Sequence, residues 1–161
     1  MLKAKEIVLR PLQILDLDFL EKIENNKENW QFGSERKEYS RKDLEHYIIN
    51  AKTDIKLAKQ YRFVIDLRGE SIGLIDLFDY TIKSAGIGII INKEYRNQGF
   101  AKEALNLLID YGFFVLNICQ LHASVAKSNV ASIKLFSSCK FAFVKEIGDL
   151  QHFVKLEKNK K

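Results

Sequence analysis

Two cations, two amides and a glycine stand together in one stretch, Arg96-Asn97-Gln98-Gly99-Phe100-Ala101-Lys102. An isoleucine-rich run (Ile87, Ile89, Ile90, Ile91) precedes it. Ala101, Ala104, Leu105, Leu108, Gly112 and Val115 follow at helical spacing. The unit is therefore strand, glycine-bearing loop, helix. Glycine lets backbone approach a ligand closely. A helix start leaves its first N–H groups unpaired and carries a partial positive charge. Together they suit an anion, phosphate above all, and Arg96 and Lys102 add full charges beside it. On residue types alone a plain turn before a helix is the other reading, and the anion stays unnamed.

Other chemistries lack their patterns. His46, His122 and His152 are scattered, and Cys119 and Cys139 stand alone, with no CxxC and no HExxH. No metal is expected. There is no GxSxG elbow and no GxxxxGK[ST] loop. Gly86-Ile87-Gly88 could open a dinucleotide fingerprint, but Ile91 stands where the third glycine belongs.

Strands and helices surround this loop. Residues 6–10, 61–66, 71–79, 85–92, 120–126, 141–147 and 150–156 read as strands, with turns at Gly69 and Gly148. Pro11 should end the first strand. Asp16 should cap a helix to about residue 24. Ser40 opens a second helix carrying Leu44, Tyr47, Ile48 and Ala51. A long helix spans 101–115, and a short one starts at Asn129. Residues 25–39 look irregular. Trp30 and Phe32 within them either cover the core or wall a pocket. The pattern is α+β, with helices on a mostly antiparallel sheet.

Length and composition agree with one globular domain over residues 1–161. Hydrophobic residues make up 47% and charged residues 29%. The net charge of +5 suits a partner bearing phosphates, although Lys155, Lys158, Lys160 and Lys161 supply much of it from the tail. No basic stripe is interleaved with aromatics, so nucleic acid ranks last as a partner. No run reaches the ~18 apolar residues of a membrane span. The start lacks the apolar core of a signal peptide, and the unpaired cysteines suggest a reducing compartment, so a cytoplasmic location is expected.

Arg96-Asn97-Gln98-Gly99-Phe100-Ala101 resembles the Q/R-x-x-G-x-G/A signature of the GNAT acetyltransferase superfamily. Asn129-Val130-Ala131-Ser132 is similar to its N-x-x-S helix start. The stretches Asp110-Tyr111-Gly112-Phe113-Phe114-Val115-Leu116-Asn117 and Val8-Leu9-Arg10-Pro11-Leu12 resemble the branch of bacterial spermidine and ribosomal-protein N-acetyltransferases. The resemblance implies a GNAT-like mixed sheet of about seven strands, splayed centrally, with about four helices. It implies acetyl-coenzyme A as co-substrate, with no metal. Arg96, Asn97, Gln98, Gly99, Phe100, Ala101 and Lys102 would hold the pyrophosphate. Ile89, Ile90 and Ile91 would line the pantetheine arm, and a strand N–H would polarise the thioester carbonyl. Asn129, Ser132 and Phe136 would stand at the thiol end. A simple helix cap is the other reading of Asn129. The expected reaction is direct attack by a primary amine: a polyamine, a small amine or a protein N-terminus. Trp30 and Glu35 are the expected substrate-side residues, and a homo-oligomer is left open.

Three positions depart from the family pattern. Phe136 stands where a tyrosine acid is common, Gly86 where a strand glutamate is common, and Lys140-Phe141 where Gly-Phe is common. A thiol with a pKa of about 8.5 can leave unprotonated near neutrality, so the enzyme reading survives the loss of the acid. Catalytic residues stay unassigned; Asp76, Asp79, Glu35 and His122 are candidate bases. The alternative is a catalytically inactive acyl-coenzyme A binding or sensing module. Cys139 as an acyl carrier is the rival mechanism.

Overall fold

The structure, a computed structural model, describes residues 1–26 and 38–157. Trp30, Phe32 and Glu35 lie outside the described residues.

Apolar residues alternating along extended segments build one sheet. In chain order its strands are β1 (Leu2–Lys3), β2 (Ile7–Pro11), β3 (Tyr61–Leu67), β4 (Glu70–Phe78), β5 (Ser84–Ile91), β6 (Gln120–Ala126), β7 (Ala142–Ile147) and β8 (Leu150–Leu156). Their spatial order is β1-β2-β3-β4-β5-β6-β8-β7. Every pair is antiparallel except β5 with β6, which are parallel. The α-helices are α1 (Leu17–Glu24), α2 (Arg41–Asn50), α3 (Ile55–Ala58), α4 (Phe100–Asp110) and α5 (Val130–Ser138).

The sheet's two faces carry separate cores. On one, Leu17, Leu20 and Ile23 of α1 and Leu44 and Ile48 of α2 pack on Val64 and Leu74. On the other, Ala104, Leu105 and Leu108 of α4 pack with Ile87, Ile91, Leu121 and Ala123. Glu103 Oε1 also accepts from the backbone N–H groups of Glu6 and Ile7, which ties α4 to the start of β2.

Among the described residues there are eight strands and five α-helices, where about seven and about four were expected. The two-residue β1 and the one-turn α3 are too short to show a period; Asp54 starts α3 by accepting from the Lys56 N–H at 2.8 Å. Pro11 is the last residue of β2, opposite Phe63, not a stop before it. Asp16 precedes α1 but does not cap it with its side chain. Its buried carboxylate turns back to take two bonds from Arg10, at 2.8 Å each, and one from the Gln13 N–H. The long helix is α-helical only to Asp110; Tyr111–Val115 widen into a π turn, and Leu116 N–H reaches Tyr111 O at 3.0 Å. Gly112 and Phe113 stay buried through that turn, so apolar spacing does not reveal it.

Candidate active site

β5 and β6 start side by side and then part. They pair only at Ser84↔Gln120, Ala85↔Leu121 and Gly86↔His122. Beyond Gly86, β5 keeps its ladder with β4, from Ile87↔Leu77 to Ile91↔Gly73, but among the described residues it has no strand partner on the β6 side. A strand edge with unpaired N–H and C=O groups needs another hydrogen-bonding partner.

The opening between the strands holds a cavity of about 250 Å³. Its walls are Ile89, Ile90 and Ile91 of β5, then Tyr95, Arg96, Asn97, Gly99, Phe100, Ala101 and Lys102, then Asn129, Ala131, Ser132 and Leu135 of the α5 region. Most of the residues singled out from sequence thus face one space, though they come from segments forty residues apart.

Local forces shape this wall. Gly99, at φ 87°, has the left-handed conformation that glycine adopts without strain, and the chain enters α4 directly from it. Asn97 is also left-handed, at φ 63°, which asparagine tolerates better than most. Among the described residues no side chain caps α4, so its first-turn amides stand uncapped on the cavity wall. Arg96 Nε donates to Ile91 O at 2.8 Å, fastening the loop to the end of β5. Asn129 Oδ1 accepts from the Ser132 N–H at 3.2 Å. Asn129 is therefore a helix cap and a cavity residue at once. A diphosphate fits the uncapped helix start, and an extended polar arm fits the open edge of β5.

Two expected cofactor-side residues do not line the cavity. Gln98 turns away, and its Nε2 donates to Glu94 O at 3.0 Å. Phe136 is buried, with its ring 5.1 Å from that of Phe141 and edge-on to it. Three lining residues escaped the sequence reading. Tyr95 lies on a 3-10 turn, and Ala131 and Leu135 carry side chains that core packing explains equally well. Cys139, the rival acyl carrier, is buried and is not part of the cavity wall.

The candidate bases sit differently. Asp76 on β4 stands opposite Gly88. Burial pushes its carboxyl up to about 6; Arg62 opposes this and Glu24 adds to it. His122 sits at the last β5–β6 pair, and burial lowers its pKa, with Asp79 opposing and His152 assisting. Asp79 is exposed in the turn after β4. Among the described residues, no group of three or more His, Cys, Asp or Glu side chains could hold a metal ion, and no helix is long and apolar enough to cross a membrane.

Residues 6–142 match the family model of the acetyltransferase (GNAT) domain. The chain belongs to the GNAT acetyltransferases. It is 32% identical over 151 residues to a spermidine N(1)-acetyltransferase of Escherichia coli K12, covering 92% of this chain and 78% of that protein. To the Vibrio cholerae spermidine N(1)-acetyltransferase it is 31% identical over 139 residues, covering 84% and 79%. The crystal structure of a Vibrio cholerae spermidine N-acetyltransferase in complex with CoA and spermine superposes with a TM-score of 0.83 at 27% identity, over 95% of this chain and 96% of that one. This GNAT chain is an acetyl-coenzyme A-dependent N-acetyltransferase, and its acceptor is an amine.

Proposed function

We propose that this enzyme acetylates a primary amine of a polyamine, by direct attack on acetyl-coenzyme A held between β5 and β6. The observation that carries the reading is the opening beyond Gly86↔His122, with an uncapped helix start at its wide end. The amides of the 96–101 loop bind the diphosphate. Ile89, Ile90 and Ile91 offer their backbone edge to the pantetheine arm, which runs from the loop toward the vertex. A backbone N–H of β5 polarises the thioester carbonyl and stabilises the oxyanion formed on attack. Asn129 and Ser132 border the sulfur end. The thiol's pKa of about 8.5 lets it depart as thiolate without an acid at Phe136.

The choice of a polyamine rests on the spermidine acetyltransferases that this chain resembles along most of its length. One of them forms a dodecamer, and we read this enzyme as a homo-oligomer too. Residues 1–161 act as one catalytic domain, and the free thiols Cys119 and Cys139 suit the cytoplasm. Initial rates of thiol release from acetyl-coenzyme A, with spermidine against a monoamine of similar basicity, test the reading. Spermidine is expected to give the higher kcat/KM.

A further inference from the structure

We propose that Asp76 is the catalytic base: it takes the proton that the acceptor nitrogen gives up as it attacks. The assignment rests on the reading above and deepens it.

Asp76 shares its face of β4 with Leu74, which packs under α1 and α2. Gly88 shares its face of β5 with Ile90, which packs there too. On β6, Leu121, Ala123 and Val125 belong to the opposite core, so His122 faces the α1–α2 side. Asp76, Gly88 and His122 therefore lie along one face of the sheet, at the vertex of the β5–β6 opening.

Two glycines shape that vertex. A Cβ on Gly86 would stand 2.5 Å from the Phe78 ring and 2.9 Å from His122 Cε1. Phe78 and His122, edge to face at 6.1 Å, therefore close the vertex above Gly86. A Cβ on Gly88 would stand 2.8 Å from Asp76 Oδ1. The missing side chain lets the carboxylate lean over bare β5 backbone. An arm anchored at the 96–101 loop and following β5 back must stop at the Phe78–His122 block. That leaves its reactive end beside Gly88, under Asp76.

Asp76 is also free to act. Asp16 and Asp66 are both held in ion pairs with Arg10. Among the described residues no hydrogen-bond donor reaches Asp76. The charged and titratable groups facing it are Arg62 of β3, Glu24 of α1 and Tyr47 of α2, with His122 across β5. Arg62 is paired with Glu24 and lies over the Tyr47 ring at 6.0 Å. Burial holds Asp76 at about 6, and it is ionised at neutral pH.

The step balances. The neutral amine's lone pair attacks the thioester carbon, and a C–N bond forms. The nitrogen becomes positive and passes one proton to an Asp76 oxygen. The oxyanion collapses, the C–S bond breaks, and the thiolate carries away the electron pair. Asp76 returns the proton to water.

The test is the pH dependence of acetyl transfer to spermidine by wild type, Asp76→Asn, Asp76→Glu and His122→Gln, with coenzyme A binding measured calorimetrically on each. In wild type, log kcat/KM is expected to fall by one further unit per pH unit below about 6. Asp76→Asn should lose that limb and about 100-fold or more in kcat, with coenzyme A affinity unchanged. Asp76→Glu should recover part of the rate and the limb. Gly88→Ala, which crowds the carboxylate without removing it, should lower kcat and spare coenzyme A binding. A limb that persists in Asp76→Asn, or that vanishes in His122→Gln instead, overturns the assignment. A wild type that binds no coenzyme A overturns the reading beneath it, a separate outcome.

Discussion

The carboxylate of Asp76 stands 2.8 Å from the place where Gly88, on the neighbouring strand, would carry a side chain. The pair meets where β5 has just lost its β6 partner. A half-buried acid with no hydrogen-bond donor is an expensive feature, and it has a measurable consequence for stability.

Burial raises the Asp76 pKa in the folded protein to about 6. Between the unfolded value, about 3.9, and 6, the folded state binds the extra proton. Stability therefore falls as pH rises through that window, and the cost is complete above it. Asp76→Asn is expected to raise Tm at pH 7 by about 2–4 °C. The gain should shrink to nothing below pH ~4. A thermal-melt series across pH checks this, and a lower Tm for the variant at pH 7 would contradict it.

Asp16 behaves in the opposite sense. Burial works against its charge, but the Arg10 guanidinium, the Gln13 N–H and Ser71 outweigh that and hold its pKa below the usual carboxylate range. Its contribution is full above about pH 3.9 and is lost as pH falls through the depressed native value. Removing Asp16 leaves Arg10 with Asp66 as its carboxylate partner and strips the Gln13 N–H of its acceptor, so Asp16→Ala should destabilise by about 1–3 kcal/mol. Urea denaturation at pH 7 and pH 3 should show a large penalty at neutrality and a smaller one in acid.

Gly99 has φ 87° and open space around its Cα. A side chain there meets no neighbour, so backbone strain and charge decide the effect. Gly99→Asp adds both strain and a negative charge at the helix start, and coenzyme A affinity should fall at least about tenfold. Gly99→Asn, neutral and tolerant of this conformation, should lose less. Equal affinities for both variants and wild type in calorimetry would mean that the diphosphate binds elsewhere.

Phe136 packs edge-on against Phe141 and is buried. A tyrosine hydroxyl there has no evident partner, so Phe136→Tyr should cost about 1–3 kcal/mol of stability. Because the thiolate leaves unaided, kcat at pH 7.5 should change by less than about tenfold. A large rate increase confined to low pH would show instead that the hydroxyl reaches the sulfur.

What was legible in the sequence follows from range. The Arg96-x-x-Gly99 loop and the Asn129 cap are local patterns, and eleven of the thirteen expected cofactor-side residues, Asn129 among them, line one cavity. Gln98 and Phe136 depart because their neighbours decide their direction: Glu94 O for one, Phe141 for the other. Leu2–Lys3 and Ile55–Ala58 are shorter than any period that would reveal them. The meaning of Asp76 was hidden because it depends on cross-strand register. Only the pairing Asp76↔Gly88 shows that the carboxylate lies over bare backbone.

Turnover itself decides whether this enzyme acetylates a polyamine. Purified enzyme is incubated with acetyl-coenzyme A and spermidine, and both thiol release and the product mass are followed. Thiol release is expected to depend on spermidine, with a product heavier by one acetyl group, and to fall when Gly99 is changed to Asp. Coenzyme A binding without acetyl transfer to spermidine, alongside efficient transfer to a monoamine or a peptide N-terminus, would contradict the polyamine assignment.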